Sequence, residues 1–193
     1  DYLNALIHLG HDDKAKAALQ KFWADEDLDR RETATLASQY RRLFAPTAHV
    51  SRLDNLLWEQ RYNEAEYMFP LVDENHIKLA QARIALGRLS SKAPKLIGKV
   101  PASLQSDSGL LHDRLRWRRQ MNKDNDAFEI LRLVPKNAAH PEIWWKERNI
   151  LARRAIEKKN YTRAYKVVAN HGLTTGADYS QAEWTLGWLA LRF

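Results

Sequence analysis

Tyr62-Asn63-Glu64-Ala65-Glu66-Tyr67-Met68-Phe69 is the stretch that decides the fold. Ala65 and Phe69 stand at i and i+4, so they share one helical face. A small residue on that face lets a second helix come close, while the large one fills the groove between neighbours. The stretch follows a polar turn, and its opening returns as Asn160-Tyr161-Thr162-Arg163-Ala164. A small residue near the start of a second helix recurs at Ala15, Ala65, Ala93, Ala127 and Ala164, at spacings of 50, 28, 34 and 37 residues. These spacings scatter around the period of about 34 residues of tetratricopeptide-like helix pairs. The first gap is long because residues 32–44 read as an extra helix. Such pairs bury their faces only by stacking on one another. The sequence therefore predicts an all-α fold: a right-handed, tetratricopeptide-like α-superhelix of antiparallel helix pairs, forming a single domain over residues 1–193.

Composition agrees with a helical, globular chain. Hydrophobic residues make up 45% of the sequence, a fraction that can build a core, and Gly and Pro number only 7 and 6. No alternating run of Val, Ile or Thr bounded by turn residues argues for a strand. The 31 Lys and Arg against 24 Asp and Glu leave a net charge of +7, compatible with nucleic acid, anionic lipid or acidic cell-wall peptides. With no cysteine there are neither disulfides nor thiolate metal sites, and the chain suits a reducing cytosol or an oxidising periplasm equally. No apolar run approaches the roughly 18 residues of a transmembrane segment, and no signal peptide is visible.

Along the chain, helices are expected at residues 2–9, 14–23, 32–44, 50–60, 63–72, 74–86, 93–98, 110–121, 127–133, 141–158 and 162–170. Pro46 is expected to stop the third of these, and residues 101–108 and 135–140 read as loops. Pro141 suits a first helical turn, and His171-Gly172 suits a helix C-cap. The last helix is expected from Ser180, with Ser180 and Glu183 as a capping box. Ala182, Leu186, Leu189 and Phe193 line one face of it, and Trp184, Trp188 and Leu191 line a nearly opposite one. A helix apolar on two faces and lacking a stop signal reads as cut within a larger solenoid. Trp184, Trp188 and Leu191 then form the packing face for a missing domain and are expected to be partly exposed.

No sequence pattern supplies catalytic chemistry. Gly-x-Ser-x-Gly, P-loop, His-Glu-x-x-His and dinucleotide glycine patterns are all missing. The seven histidines are scattered, so no metal site or cofactor is expected. Two basic clusters, Arg114-Leu115-Arg116-Trp117-Arg118-Arg119 and residues 148–154, disperse their charges around a helix instead of gathering them on one stripe, which argues against nucleic acid as partner. The seven tryptophans invite sugar stacking, but most sit at core spacings; Trp144, Leu151 and Ala155 follow i, i+7 and i+11. Adjacent Trp144 and Trp145 cannot both face the same way, so one of them is expected at an exposed surface or an inter-domain contact. Arg118, Arg119, Trp145, Arg153 and Arg154 are the resulting contact candidates.

The pattern Pro141-Glu142-Ile143-Trp144-Trp145-Lys146-Glu147-Arg148, with Leu151-Ala152-Arg153-Arg154-Ala155, resembles the last helical repeats of soluble lytic transglycosylases. Ala164-Tyr165, His171-Gly172-Leu173, Ala182-Glu183-Trp184 and Gly187-Trp188-Leu189-Ala190-Leu191-Arg192-Phe193 continue the resemblance. Leu56-Leu57-Trp58-Glu59 with Pro70-Leu71-Val72-Asp73 looks like an earlier repeat of that helical region. The resemblance implies a periplasmic, peptidoglycan-cleaving parent enzyme with a long α-superhelix and a separate lysozyme-like catalytic domain. There, one glutamate acts as acid and then base between N-acetylmuramic acid and N-acetylglucosamine, leaving a 1,6-anhydro end. One carboxylate suffices when the sugar's own 6-hydroxyl is the nucleophile. The family's Glu-Ser pair and Gly-Leu-Met-Gln turn do not occur here, so no catalytic residue carries over. The implied role is a non-catalytic scaffold that positions peptidoglycan glycan strands or docks cell-wall synthesis or degradation proteins. The alternative is a tetratricopeptide-like protein-interaction scaffold with no enzyme attached; a nucleic-acid-binding solenoid is a third and weaker reading.

Overall fold

The computed structural model describes residues 2–45, 47–135 and 138–193. Pro46, expected to stop a helix, and Lys136 and Asn137 of the expected 135–140 loop lie outside the described residues. The chain divides into two compact units, Asp1–Pro101 and Ala102–Phe193. Among the described residues all regular structure is helical. The first unit holds α1 (Tyr2–His8), α2 (Asp12–Asp25), α3 (Arg30–Gln39), α4 (Ala48–Trp58), α5 (Tyr62–Tyr67), α6 (Glu74–Gly87) and α7 (Ala93–Ile97). The second holds α8 (Ser108–Gln120), α9 (Asp124–Leu131), α10 (Pro141–Glu157), α11 (Tyr161–Val168) and α12 (Gly176–Arg192). Single 3-10 turns lie at Phe69–Leu71 and Ala102–Leu104.

One turn design builds five hairpins: α1–α2, α4–α5, α6–α7, α8–α9 and α10–α11. Each first helix ends on a residue in the left-handed region, at Gly10, Gln60, Leu89, Asn122 and Lys159. The next N–H then reaches back five residues: His11 to Leu6 O, Arg61 to Leu56 O, Ser90 to Ala85 O, Lys123 to Arg118 O and Asn160 to Ala155 O, at 2.8–2.9 Å. This is the Schellman closure, which satisfies carbonyls that the helix end leaves free. In four hairpins the recurring alanine follows five residues after the left-handed residue; Ala93 follows four after Leu89. All five alanines are fully buried. Only one of the five turns uses glycine, so sequence composition hides the motif.

Several element ends differ from the sequence expectation. α3 starts at Arg30 under a complete capping box formed by Asp29 and Glu32, and it stops at Gln39. α12 starts at Gly176, four residues before the expected Ser180. Gly176 takes a positive φ of 90° after extended Thr175, a conformation other residues resist. Ser180 is thereby inside the helix, its hydroxyl donating back to Gly176 O at 3.3 Å. Glu183 instead accepts from His171 Nε2 at 2.9 Å, while His171 Nδ1 accepts from Leu173 N–H at 3.0 Å. The pair ties the α11–α12 connection down, and Gly172 turns there with positive φ.

In the first unit, Trp23, Leu53, Leu56, Leu57, Met68 and Ile84 form the main core. α5 comes close to the end of α6: a Cβ on Gly87 would lie 1.8 Å from Tyr62 Oη. Buried Arg52 donates to the carbonyls of Trp23 and Glu26 at the end of α2 and lies 4.9 Å over the Trp23 ring. Buried Arg83 pairs with Asp54 at 2.5 Å. In the second unit α8 packs on α10 and α10 on α12, with α9 and α11 packed as second helices. Ala155, Ala164 and Leu189 form a core cluster there, flanked by Phe128, Ile156, Tyr161 and Trp188.

Candidate functional site

The candidate contact residues lie on α8, α10 and α12 of the second unit; Trp145 is buried, Arg118, Arg119, Arg154 and Trp188 are half-buried, and Arg153, Trp184 and Leu191 are exposed. Trp145 is 1% exposed and Trp144 is equally buried, which corrects the expectation that one of the pair reaches a surface. Both fit because Trp144 packs edge-on to His112 of α8, whereas Trp145 turns toward His171 in the α11–α12 connection. Each has its own neighbour, so neither is available as a contact. Arg119 grips Glu147 of α10 through two guanidinium nitrogens, with Nη2 at 2.9 Å from Oε1. That bond, ahead of the cost of burial, raises the Arg119 pKa above its ordinary value. Arg154 and Lys158 hold Asp124 at 2.6 and 3.0 Å. Burial pushes the Asp124 carboxyl up, but the hydrogen bonds and charges of Lys158 and Arg154 outweigh it and set the pKa below the usual carboxylate value. These pairs join α8, α9 and α10 and leave Arg119 and Arg154 engaged. Arg118 donates to the Asp126 carbonyl at 3.0 Å.

Arg153 is exposed and belongs to a different setting. It donates to Asn149 at 3.2 Å, and Asn149 donates to Gln181 of α12 at 2.9 Å. These residues, with Thr185, Trp184 and Trp188, line a cavity of about 230 Å³ between α10 and α12. Trp184 and Trp188 lie one helical turn apart with their planes 7° from parallel and centroids 6.3 Å apart. Trp184 is 69% exposed, Trp188 is half-buried, and Leu191 is 91% exposed. At the end of α12, Phe193 stacks on Tyr161 of α11 at 3.5 Å, beside a second cavity of about 710 Å³.

A third cavity, of about 480 Å³, opens between α9 and α11 over the side of α10. Phe128, Leu131 and Val167 supply apolar walls, Asn160, Thr162 and Asn170 neutral hydrogen-bonding groups, and Arg132, Arg148, Arg163 and Lys166 the charge. Arg163 lies 4.8 Å over the Phe128 ring and donates to Asn125 at 2.8 Å; Arg132 pairs with exposed Glu129 at 3.0 Å. Arg148 is 4% exposed and donates to the Val167 carbonyl at 3.2 Å, while its buried Nε–H has no acceptor. With no carboxylate to offset it, burial pulls the Arg148 guanidinium down to about 10.

Arg163, Lys166 and Arg132 were not candidates from the sequence, and Arg148 was read only as part of the dispersed basic cluster 148–154. One signal was present for Arg148: it stands at i+4 from Trp144 and i−3 from Leu151, a cation on the buried stripe of α10. The remaining three come from different elements, and only the packing of α9 against α11 brings them together. Among the described residues no group of three His, Asp or Glu could hold a metal ion, and no helix is long and apolar enough to cross a membrane.

No family model matches the chain, and no curated protein or solved structure matches it either.

Proposed function

We propose that the chain is the non-catalytic helical scaffold of a periplasmic peptidoglycan lytic transglycosylase. The parent enzyme would cleave the MurNAc–GlcNAc bond to give 1,6-anhydromuropeptides in a separate domain. This chain would position glycan strands for it. The five hairpins are read as layers of a right-handed, tetratricopeptide-like superhelix. What supports that reading is the shared turn design and the succession α8, α10, α12 of packed first helices.

The observation that carries the glycan reading is the Trp184–Trp188 pair. Exposed Trp184 stacks beside half-buried Trp188 with the planes 7° apart, so the pair presents indole surface against which the C–H face of a sugar ring can pack. Asn149, Arg153, Gln181 and Thr185 alongside them supply the directional hydrogen bonds that sugar hydroxyls need. The net charge of +7 attracts the anionic peptide stems over long range, an attraction that salt screens. Sedimentation with purified sacculi tests the reading. Trp184→Ala with Trp188→Ala is expected to weaken binding by about tenfold or more, the scale of losing aromatic contact at two sites. Binding unchanged in the double variant overturns it. Anhydromuropeptide release by this chain alone is expected to be nil.

The second reading is a tetratricopeptide-like protein-interaction scaffold with no enzyme attached, its partner packed on Trp184, Trp188 and Leu191. Leu191 favours it, because a 91% exposed aliphatic side chain offers a sugar no stacking face. A Leu191→Glu variant that keeps sacculus binding but loses a protein partner supports this second reading over the first.

A further inference from the structure

Among the described residues, Arg148 is the arginine of the second unit that is almost wholly buried, at 4% exposed, and it is joined to no carboxylate. Arg119 and Arg154 of the same unit have Glu147 and Asp124. Arg83 of the first unit has Asp54, and Arg52 takes two carbonyls with Asp27 and Glu59 acting on its charge. Arg148 has one carbonyl, Val167 O, in the last turn of α11, where the helix dipole gives partial compensation. Its Nε–H is buried without a partner. A buried charge without an anion and a buried N–H without an acceptor each cost stability, and an anion bound beside them would offset part of that cost.

The cavity around Arg148 is suited to do so. Arg132, Arg163 and Lys166 stand at its rim, and Glu129 is the sole acid among its lining residues, already paired with Arg132. Lys166 makes no ion pair among the described residues. Asn160, Thr162 and Asn170 can serve peptide groups, and Phe128, Leu131 and Val167 give apolar wall for side-chain methylenes. A volume near 480 Å³ exceeds what a lone inorganic anion needs and fits two or three residues of peptide.

We propose that the α9–α11 cavity binds the carboxylates of a short acidic peptide, with Arg148 as the central cation and Lys166, Arg132 and Arg163 around it. A carboxylate accepts from the part of the guanidinium that lines the cavity, a charge-assisted contact of the kind that makes Arg–carboxylate pairs strong. Such a peptide has two possible sources: the stem of peptidoglycan, which would rest on the function proposed above, or an ordinary acidic segment of a protein.

The experiment is calorimetric titration of the full chain with three probes: L-Ala-γ-D-Glu-meso-diaminopimelate, the α-linked peptide Ala-Glu-Glu, and inorganic phosphate. Binding of at least one peptide at millimolar concentration or below, tighter than phosphate, is expected. Arg148→Met should weaken it by about tenfold or more, the scale of a lost charge-assisted bidentate contact. The same variant is expected to melt no lower than the wild type, because it also removes an uncompensated buried charge. Should Arg148→Met fail to fold, Lys166→Ala and Arg132→Ala decide, since both are exposed; each should weaken the peptide severalfold with helicity unchanged. Stem peptide bound in preference to the α-linked peptide supports the inference together with the peptidoglycan reading. The α-linked peptide bound as well or better supports the inference and counts against peptidoglycan. Neither peptide binding, phosphate binding more tightly than both, or unchanged affinity in the variants overturns the inference. Because sacculus binding through Trp184 and Trp188 is measured separately, failure here leaves that reading standing.

Discussion

Leu89, Gln60, Asn122 and Lys159 hold left-handed backbone conformations that glycine would take without cost. For a residue with a Cβ the cost is of order 1 kcal/mol. Leu89 is the clearest case, because its side chain is 43% exposed and gains less by packing than a core leucine. Leu89→Gly is expected to raise stability by about 0.5–1 kcal/mol in urea titration, with no change in helical signal. Asn122→Gly should gain less, since asparagine tolerates this region better. A loss of stability in Leu89→Gly would show that the Leu89 side chain contributes more by contact than its backbone costs. The sequence could not locate these residues, for nothing but the neighbouring helix lengths marks them as turn formers. The alanine five residues further on was visible, because small size at a helix crossing is a property of the residue itself.

Polar clamps between helices join the second unit's elements alongside the apolar core. Asp124 opens α9 and accepts from Arg154 and Lys158 of α10, while Arg119 at the end of α8 grips Glu147. The Asp124 carboxyl is only 11% exposed, so its pair is screened little by water. Its pKa lies below the ordinary value in the fold, so it contributes stability above the unfolded carboxylate range and loses it as pH falls through the lowered value. Asp124→Asn should cost about 1–2 kcal/mol near neutral pH. The difference from wild type should shrink to nothing in acid, measured by denaturant titration across pH; a difference independent of pH would exclude the carboxylate as its source. In the sequence, Asp124 read only as a favourable charge at a helix start, since its partners lie 30 and 34 residues away. At the other end of this unit, α12 was recognisable as an amphipathic helix, but its start was misplaced. The Ser180–Glu183 spacing imitates a capping box, and tertiary contact sends Glu183 to His171 instead.

The whole chain comprises two compact units, and the second, Ala102–Phe193, carries the indole pair and the basic cavity. Residues 102–193 alone are expected to give a helical circular-dichroism spectrum and a cooperative melt, since the unit has its own buried cluster and hairpins. A non-cooperative melt would show that it needs the first unit to fold. Helical class, hairpin connectivity and the identity of the packing alanines were settled by the sequence, because periodicity and residue size act locally and repeat. Burial of both Trp144 and Trp145, engagement of Arg119 and Arg154 in clamps, and the gathering of Arg148, Arg163 and Lys166 around one cavity were decided only by tertiary structure. Each of these depends on which side chains from other helices come within hydrogen-bond or van der Waals reach. A one-dimensional pattern places a residue on a helix face; what waits opposite that face is fixed by how the helices pack.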